Sequence, residues 1–255
     1  MSIISLKAWY LQQYEPLSEL EKRPYDLRLS KNSLLKSGLR ADFLEESDHV
    51  KDSEWFRRYL DGEVVEFYIE GSGGYAISNI DLSSHEIYFT KQDVMAHLDP
   101  VIFLCYQTEY PDSSVALREE LQAAIATLNQ RSRLPLKLEE SQRSAENPLR
   151  LNARSLRKIR RSLLFIADTT AIAQIPGDEP QLIPSPNVCV EIGYALQSKR
   201  TEQILLASLD RRDLSGRVSF DLPNYQQLAF RDAKELGKML PDLLEAMLKR
   251  FSLFS

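Results

Sequence analysis

The sequence is poor in the residues that build disulfide frameworks and metal sites. It has two cysteines, Cys105 and Cys189, and three histidines in 255 residues. Both cysteines stand among apolar neighbours, which predicts small buried thiols in a reducing cytoplasm rather than a disulfide. The spacing of His49, His85 and His97 is not that of metal ligands, so no metal site is expected.

Long apolar runs and an excess of basic residues are also missing. No stretch approaches the roughly 20 apolar residues that cross a bilayer. The N-terminus has no basic start followed by an apolar core, so we predict neither a membrane partner nor a signal peptide. A net charge of −5 argues against a nucleic-acid partner. No G-x-G-x-x-G motif follows the first predicted strand of the second half, so a standard dinucleotide-binding site is not expected.

Residues 1–96 predict a smaller α+β accessory domain. The segment from residue 1 to about residue 60 is rich in charged residues, and its pattern predicts mainly helices. Val64 to Ile69 and Tyr75 to Ile80 alternate apolar and polar residues on either side of a Gly-Ser-Gly-Gly turn, which predicts a β-hairpin. His85 to Thr90 predicts a further strand.

Residues 97–255 alternate strand and helix patterns. The strand patterns are Val101 to Tyr106, Leu134 to Leu138, Leu163 to Ala167, Gln203 to Leu209 and Gln226 to Phe230. A near-continuous apolar run, as in the first of these, is typical of a strand buried on both faces. Five strands with intervening helices predict an α/β fold with an open parallel sheet and helices on both faces.

Ligands of such sheets bind at the carboxyl ends of the strands. This rule selects the polar residues Tyr106, Gln107 and Glu109 after the first strand, and the run Asp168-Thr169-Thr170 after the third. The connection over residues 170–185 contains four prolines and is unusually long, which predicts a lid or a binding loop.

A helix is predicted over residues 186–198, with Ser185 as its cap and Pro186 in its first turn. Its apolar face comprises Val188, Ile192, Ala195 and Leu196. Glu191 lies on or beside this face. A carboxylate among apolar residues is costly unless it is paired or has a function, so Glu191 is the main candidate for a functional residue.

The run IADTT, a variable loop and then SPNVCVEIGYAL (Ser185 to Leu196) resembles the NPNV-x-x-E-x-G-x-A signature of bacterial TIR-like nucleotide-binding domains. It is also similar, more distantly, to the Asp…Glu-x-Gly-x-Ala pattern of nucleoside 2-deoxyribosyltransferases. The likeness covers about residues 97–255, and its specific part is Ser185 to Leu196, where Ser185 replaces the usual Asn. It implies a flavodoxin-like sheet, self-assembly into a homo-oligomer, and NAD or a nucleoside as substrate or ligand rather than a bound cofactor.

In both families the helix glutamate attacks, or stabilises positive charge at, the anomeric carbon of a ribosyl group. The resemblance therefore implies that Glu191 is a catalytic carboxylate and that Asp168 assists it by holding ribose hydroxyls or helping the base to leave. Ligand-binding roles are expected for Tyr106, which would stack on a base, and for Gln107, Glu109, Thr169, Ser185, Asn187 and Tyr194. The function so predicted is cleavage or transfer at an N-glycosidic bond. The alternatives are a non-catalytic nucleotide-binding sensor and a TIR-like assembly module.

Each candidate residue also has a purely structural interpretation. For Glu191 it is a buried ion pair with an arginine. Asp168 and Asn187 would then fix the ends of their strand and helix, and the two tyrosines would pack in the core. The helix pattern before the third strand carries arginines at three- and four-residue spacing, which form either a solvated face or a stripe for phosphates or RNA. These arginines are Arg150, Arg154, Arg157 and Arg161.

Overall fold

The computed structural model describes residues 5–35, 38–92, 95–143, 153–218 and 226–254. The chain divides into two units, Met1–His97 and Leu98–Ser255. Within the described ranges, no helix combines the length and the apolar character that crossing a membrane requires.

The unit Met1–His97 is built on an antiparallel sheet that closes into a six-stranded barrel in the order β1-β2-β3-β6-β5-β4. Its elements are β1 (Ser5–Tyr10), α1 (Leu17–Leu20), β2 (Leu27–Leu35), β3 (Gly38–Phe43), α2 (Ser47–Asp52), α3 (Glu54–Leu60), β4 (Glu66–Ile69), β5 (Gly73–Asp81) and β6 (Glu86–Lys91). The barrel closes because β1 pairs with β2 along one edge and with β4 along the other.

The predicted hairpin is confirmed, since β4 pairs with β5 in antiparallel register and Phe67 lies opposite Tyr75. The predicted third strand is β6. The expectation that the first 60 residues are mainly helical is wrong, because β1, β2 and β3 lie there. In β3, Leu39, Ala41 and Phe43 are buried and the residues between them face outward, so the apolar period is two and not 3.6.

The unit Leu98–Ser255 alternates strands and helices. Its elements are β7 (Asp99–Cys105), α4 (Pro111–Asn129), β8 (Lys137–Glu140), α5 (Ala153–Arg161), β9 (Ser162–Asp168), β10 (Ala173–Ile175), β11 (Gln181–Ile183), α6 (Pro186–Ser198), β12 (Ile204–Leu209), β13 (Arg217–Val218), β14 (Gln227–Phe230) and α7 (Ala233–Leu248). The predicted second strand is displaced toward the C-terminus, at Lys137–Glu140. Pro241 lies inside the uninterrupted α7.

Five of these strands form a parallel sheet in the order β8-β7-β9-β12-β14, as the sequence predicts. Counted along the chain, the strand order is 2-1-3-4-5. The helix α4 packs with α7, and α5 packs with α6. One buried cluster joins α5 and α6 to alternate residues of the strands, among them Phe103, Cys105 and Phe165. Because side chains alternate across a sheet, α4 and α7 cover the opposite face.

The long connection after β9, predicted to be a lid or a binding loop, has secondary structure of its own. It contains the antiparallel pair β10 and β11, and β11 also pairs with β13 in parallel. Gly216 allows the backbone before β13 to approach Pro180 closely, and the amide of the next residue, Arg217, donates to the Pro180 carbonyl at 2.8 Å. The φ angle of Gly216 is +151°, and a Cβ there would lie 2.3 Å from Pro180 O, so only glycine fits.

Candidate functional site

The candidate residues lie at the carboxyl edge of the five-stranded sheet, near the ends of β7, β8 and β9. The chain moves from β7 to one side of it, at β8, and then to its other side, at β9, so the strand order reverses at this point. Open α/β sheets bind ligands at such a reversal. Two buried carboxylates lie here with different partners. The Glu191 cluster comprises Glu191, Arg143, Ser141, Cys105 and Tyr106, and the Asp168 cluster comprises Asp168, Ser113, Ser114, Gln107 and Thr170.

Glu191 is 2% exposed on α6, among the fully buried Val188, Ile192 and Ala195. Arg143 Nη1 donates to Glu191 Oε1 at 2.6 Å, and Arg143 Nη2 donates to Oε2 at 3.3 Å. Ser141 Oγ donates to Oε2 at 2.6 Å. The buried ion pair that the structural interpretation predicted is therefore present, and Glu191 is neutralised by a guanidinium.

Arg143 is held by the end of β7 as well as by Glu191. Its Nε donates to the Tyr106 carbonyl at 2.9 Å, and its Nη2 lies 3.6 Å from Cys105 Sγ. Its Cζ lies 5.5 Å from the centre of the Tyr106 ring, and Arg118 Cζ lies 5.0 Å from the same centre. Arg118 forms a two-pronged ion pair with Glu140, at 2.7 and 2.9 Å. The Tyr106 ring, predicted to stack on a base, thus contacts two guanidinium groups.

Burial and the charges in this cluster shift the pKa values of Arg143 and Cys105. Burial alone would lower the pKa of Arg143, but hydrogen bonds and charge attraction to Glu191 raise it above the ordinary value. Burial raises the pKa of the Cys105 thiol well above its usual range, and the negative charge of Glu191 adds to the effect. Cys105 is therefore a neutral, buried thiol. Cys189 is free and only half-buried, so the prediction of two buried thiols is right for Cys105 alone.

Glu109 and Ser185 meet at the start of α6. The Ser185 hydroxyl donates to Glu109 Oε1 at 2.8 Å, and the Thr108 amide donates to Oε2 at 3.0 Å. Partial burial alone would raise the pKa of Glu109, but these hydrogen bonds and the charge of Arg143 lower it. Ser185 is the N-cap residue of α6, as predicted, but its side chain accepts no capping hydrogen bond and its hydroxyl donates to Glu109.

The Asp168 cluster is held by neutral donors. Asp168 is fully buried, and its Oδ2 accepts hydrogen bonds from Ser113 Oγ and Ser114 Oγ, each at 2.6 Å. Its Oδ1 accepts from the Thr170 amide at 3.0 Å. These bonds fasten the end of β9 to the first turn of α4. The carboxylate oxygens predicted to hold ribose hydroxyls are thus engaged by the protein itself.

Gln107 and Thr169 are also turned inward, at 1% and 4% exposure. Gln107 Nε2 donates to the Thr170 carbonyl at 2.9 Å, while its Oε1 is buried with no partner in the described part of the chain. Thr169 donates through both its amide and its hydroxyl to Ala207 O on β12. Both residues therefore link the ends of neighbouring strands by hydrogen bonds.

The other predicted residues lie on α6 and α5. Asn187 is half-buried in the first turn of α6, and Tyr194 is half-buried against the core beneath this helix. Leu196, expected on the apolar face, is 44% exposed. Of the predicted arginine stripe, Arg154 and Arg157 are exposed and Arg161 pairs with Asp99 at 2.7 Å, while Arg150 lies outside the described residues.

Sequence reasoning missed Arg143, Ser141 and the serines Ser113 and Ser114 as partners of the two carboxylates. Ser141 and Arg143 lie in the polar segment after the second strand, so the same carboxyl-edge rule would have selected them. In the described ranges, no group of three or more potential ligands is arranged to hold a metal ion. Comparisons with protein-family models, curated proteins and solved structures found no match for this chain.

Proposed function

We propose that the unit Leu98–Ser255 binds a nucleotide or nucleoside and cleaves or transfers at its N-glycosidic bond, with Glu191 as the catalytic carboxylate. The main support is the position of Glu191, which meets residues from the ends of β7 and β8 where the strand order reverses. The order 2-1-3-4-5 is that of flavodoxin-like sheets. The segment that resembles the TIR-like signature, Ser185 to Leu196, overlaps the helix that carries this glutamate.

The chemistry follows from the residue type. When the bond between the anomeric carbon and the base breaks, its electron pair leaves with the base and the ribosyl group becomes cationic. A carboxylate beneath the sugar stabilises this cation or bonds to it. Water, or a second base, then bonds to the anomeric carbon and loses a proton. This proton goes to the leaving base of a nucleoside, which departs as an anion, or to solvent when nicotinamide departs as a neutral molecule. The buried apolar neighbours of Glu191 restrict water and strengthen the attraction.

The remaining candidates take supporting roles in this proposal. Glu109 is the more exposed carboxylate near Arg143, and its lowered pKa keeps it ionised, so it takes a ligand-binding role. Tyr106 contributes an aromatic ring, and Asn187 and Tyr194 lie on the helix of Glu191. Asp168 acts as a positioning residue, since its neutral donors fix β9 to α4. Self-assembly into a homo-oligomer is part of the proposal through the resemblance alone.

A second candidate function is that of a nucleotide-binding sensor without turnover. It is favoured by one observation, the ion pair that engages both oxygens of Glu191. A carboxylate so neutralised cannot stabilise a ribosyl cation while the pair persists. In this case the site would bind its ligand and release no product.

A product assay separates the two functions. The protein would be incubated with NAD, and separately with a mixture of nucleosides and deoxynucleosides, beside the Glu191→Gln variant, in dilute and in crowded solution. The enzyme predicts free base from the unsubstituted protein only. The sensor predicts ligand binding with no base released, and a modest change of affinity in Glu191→Gln. If the unsubstituted protein neither releases a base nor binds these compounds, both functions are excluded.

A further inference from the structure

We propose, on the basis of the function assigned to Glu191, that Arg143 recognises a phosphate group of the ligand and thereby releases Glu191 from its ion pair. The site would then act on nucleotides and discriminate against the corresponding nucleosides. Arg143 is a specificity-determining residue in this proposal, and Glu191 remains the catalytic one.

The first step concerns the state of Glu191. Its side chain is 3% exposed and that of Arg143 is 6% exposed, so solvent screens the pair only weakly. A guanidinium 2.6 Å from Oε1 offsets the negative charge that the ribosyl cation needs. Catalysis by Glu191 therefore requires that Arg143 give up this contact when the right ligand is bound.

The second step concerns the hydrogen bonds of Arg143. Two of them are short, from Nη1 to Glu191 and from Nε to the Tyr106 carbonyl. The two contacts of Nη2 are weaker, since the one to Glu191 Oε2 is 3.3 Å long and the other, at 3.6 Å, is to the poor acceptor Cys105 Sγ. Nη2 is thus weakly engaged, while Nε tethers the side chain to the end of β7. A guanidinium held in this way can turn toward a phosphate, whose oxygens match its paired N–H groups.

The third step concerns the cost of breaking the pair. Removing one partner of a buried ion pair leaves an uncompensated charge, which is strongly unfavourable. A phosphate avoids this cost, because Arg143 exchanges one anion for another and the charge of Glu191 is compensated by the developing ribosyl cation. Ser141 keeps Glu191 in place through its hydrogen bond to Oε2. A nucleoside offers no anion, so Arg143 stays on Glu191.

Arg118, the other arginine beside Tyr106, is less suited to this exchange. Both of its interactions with Glu140 are short and parallel, at 2.7 and 2.9 Å. The geometry is the two-pronged pairing that an arginine would otherwise offer to a phosphate. Arg143, whose Nη2 makes only a 3.3 Å contact with Glu191, is therefore the better phosphate ligand of the two.

The test compares two compounds with the same glycosidic bond, nicotinamide mononucleotide and nicotinamide riboside, and includes inorganic phosphate as a third probe. Binding is measured by calorimetry on the unsubstituted protein, on Glu191→Gln and on Glu191→Gln/Arg143→Met. In Glu191→Gln, Arg143 has lost its charged competitor, so the mononucleotide should bind about tenfold more tightly or better. The affinity for the riboside should not change, and the double variant should lose the gain.

The double variant replaces a charged pair by neutral groups of similar size, which buried sites tolerate, whereas Glu191→Gln alone leaves Arg143 without its counter-charge. Thermal unfolding therefore verifies that both variants fold before binding is measured. The proposal is overturned if the riboside binds as well as the mononucleotide, if the preference for the mononucleotide survives Arg143→Met, or if inorganic phosphate alone accounts for the gain. Base release is assayed in parallel. A phosphate preference without base release supports the role of Arg143 and overturns the catalytic one, whereas release from both compounds at equal rates does the reverse.

Discussion

Two buried carboxylates lie at the same edge of one sheet and are held in opposite ways. Asp168 accepts hydrogen bonds from two serine hydroxyls and an amide, all of them neutral. Glu191 accepts from one hydroxyl and from the guanidinium of Arg143. The donors of Asp168 belong to strand ends and a helix turn that are fixed by the fold. The main partner of Glu191 is a charged side chain from the segment that follows β8.

The difference separates a structural carboxylate from a candidate catalytic one, although both are almost fully buried. Neutral donors stabilise a carboxylate without cancelling its charge, and they leave no room for a competing group. A guanidinium cancels the charge, and it can be shared with another anion. Burial alone would not have distinguished the two residues.

The largest effect is expected from Arg143→Met, which leaves Glu191 buried without its counter-charge. We expect the free energy of unfolding to fall by about 3–5 kcal/mol. Arg143→Met/Glu191→Met should regain most of this loss, since it removes both charges. Urea denaturation of the two variants measures the difference, with the exposed Arg154→Met as a control that should change little. Equal loss in the single and the double variant would show that the charges do not interact.

A smaller loss is expected from Asp168→Ala. Each serine hydroxyl has a second acceptor, since Ser113 Oγ lies 3.1 Å from Tyr110 O and Ser114 Oγ lies 3.0 Å from Gln107 O. Only the Thr170 amide is then left without an acceptor, which costs about 1–3 kcal/mol. Asp168→Asn keeps an oxygen for this amide and should lose less than Asp168→Ala in the same denaturation experiment. A loss as large as that of Arg143→Met would contradict the distinction between the two clusters.

The sheet was predictable from sequence because parallel strands that are buried on both faces consist of near-continuous apolar residues. Leu163 to Ala167 lies within β9, all of which is buried, and Pro186 marks the start of α6. The first three barrel strands, β1, β2 and β3, were missed because their apolar positions alternate with charged ones over short stretches, as in β3, and the charge suggested helices. The small sheet of β10, β11 and β13 was missed because its strands are very short.

Glu191 was selected from its neighbours on one helix, but its partner was not. Arg143 lies 48 residues earlier in the chain, and it reaches Glu191 because β8 pairs with β7 and brings its following segment to the same edge. The carboxyl-edge rule selects the segment after β8, but it does not indicate that the arginine of this segment pairs with Glu191. The identity of the partner follows from strand order, which a single sequence does not specify.

Lys199, a half-buried amine with one hydrogen-bond partner among the described residues, extends the comparison to a basic group. Lys199 Nζ donates to the Ser162 carbonyl at 2.5 Å, and burial lowers the pKa of this amine from 10.5 to about 7. Between these values the unfolded chain binds the proton and the folded chain does not, so stability should rise as the pH increases from about 7 toward 10.5. For one proton the slope is at most about 1.4 kcal/mol per pH unit.

Unfolding of Lys199→Met as a function of pH checks this expectation. The variant should lose this contribution to the slope and gain stability at pH 7, whereas the exposed Lys234→Met should keep the slope of the unsubstituted protein. An unchanged slope in Lys199→Met would mean that its amine stays charged in the folded protein.

The smallest effects on stability are expected for the serine hydroxyls, which are neutral donors to the carboxylate in both clusters. Ser141→Ala removes one hydroxyl from Glu191 Oε2, which keeps its contact with Arg143 Nη2. Ser113→Ala removes one hydroxyl from Asp168 Oδ2, which keeps its hydrogen bond from Ser114. Each should lower the free energy of unfolding by about 1 kcal/mol in matched denaturation experiments. If the two losses are equal, the different behaviour of the two carboxylates lies in the charge of Arg143. If Ser141→Ala costs as much as Arg143→Met, the hydroxyl and not the guanidinium stabilises Glu191, and a phosphate would have nothing to displace.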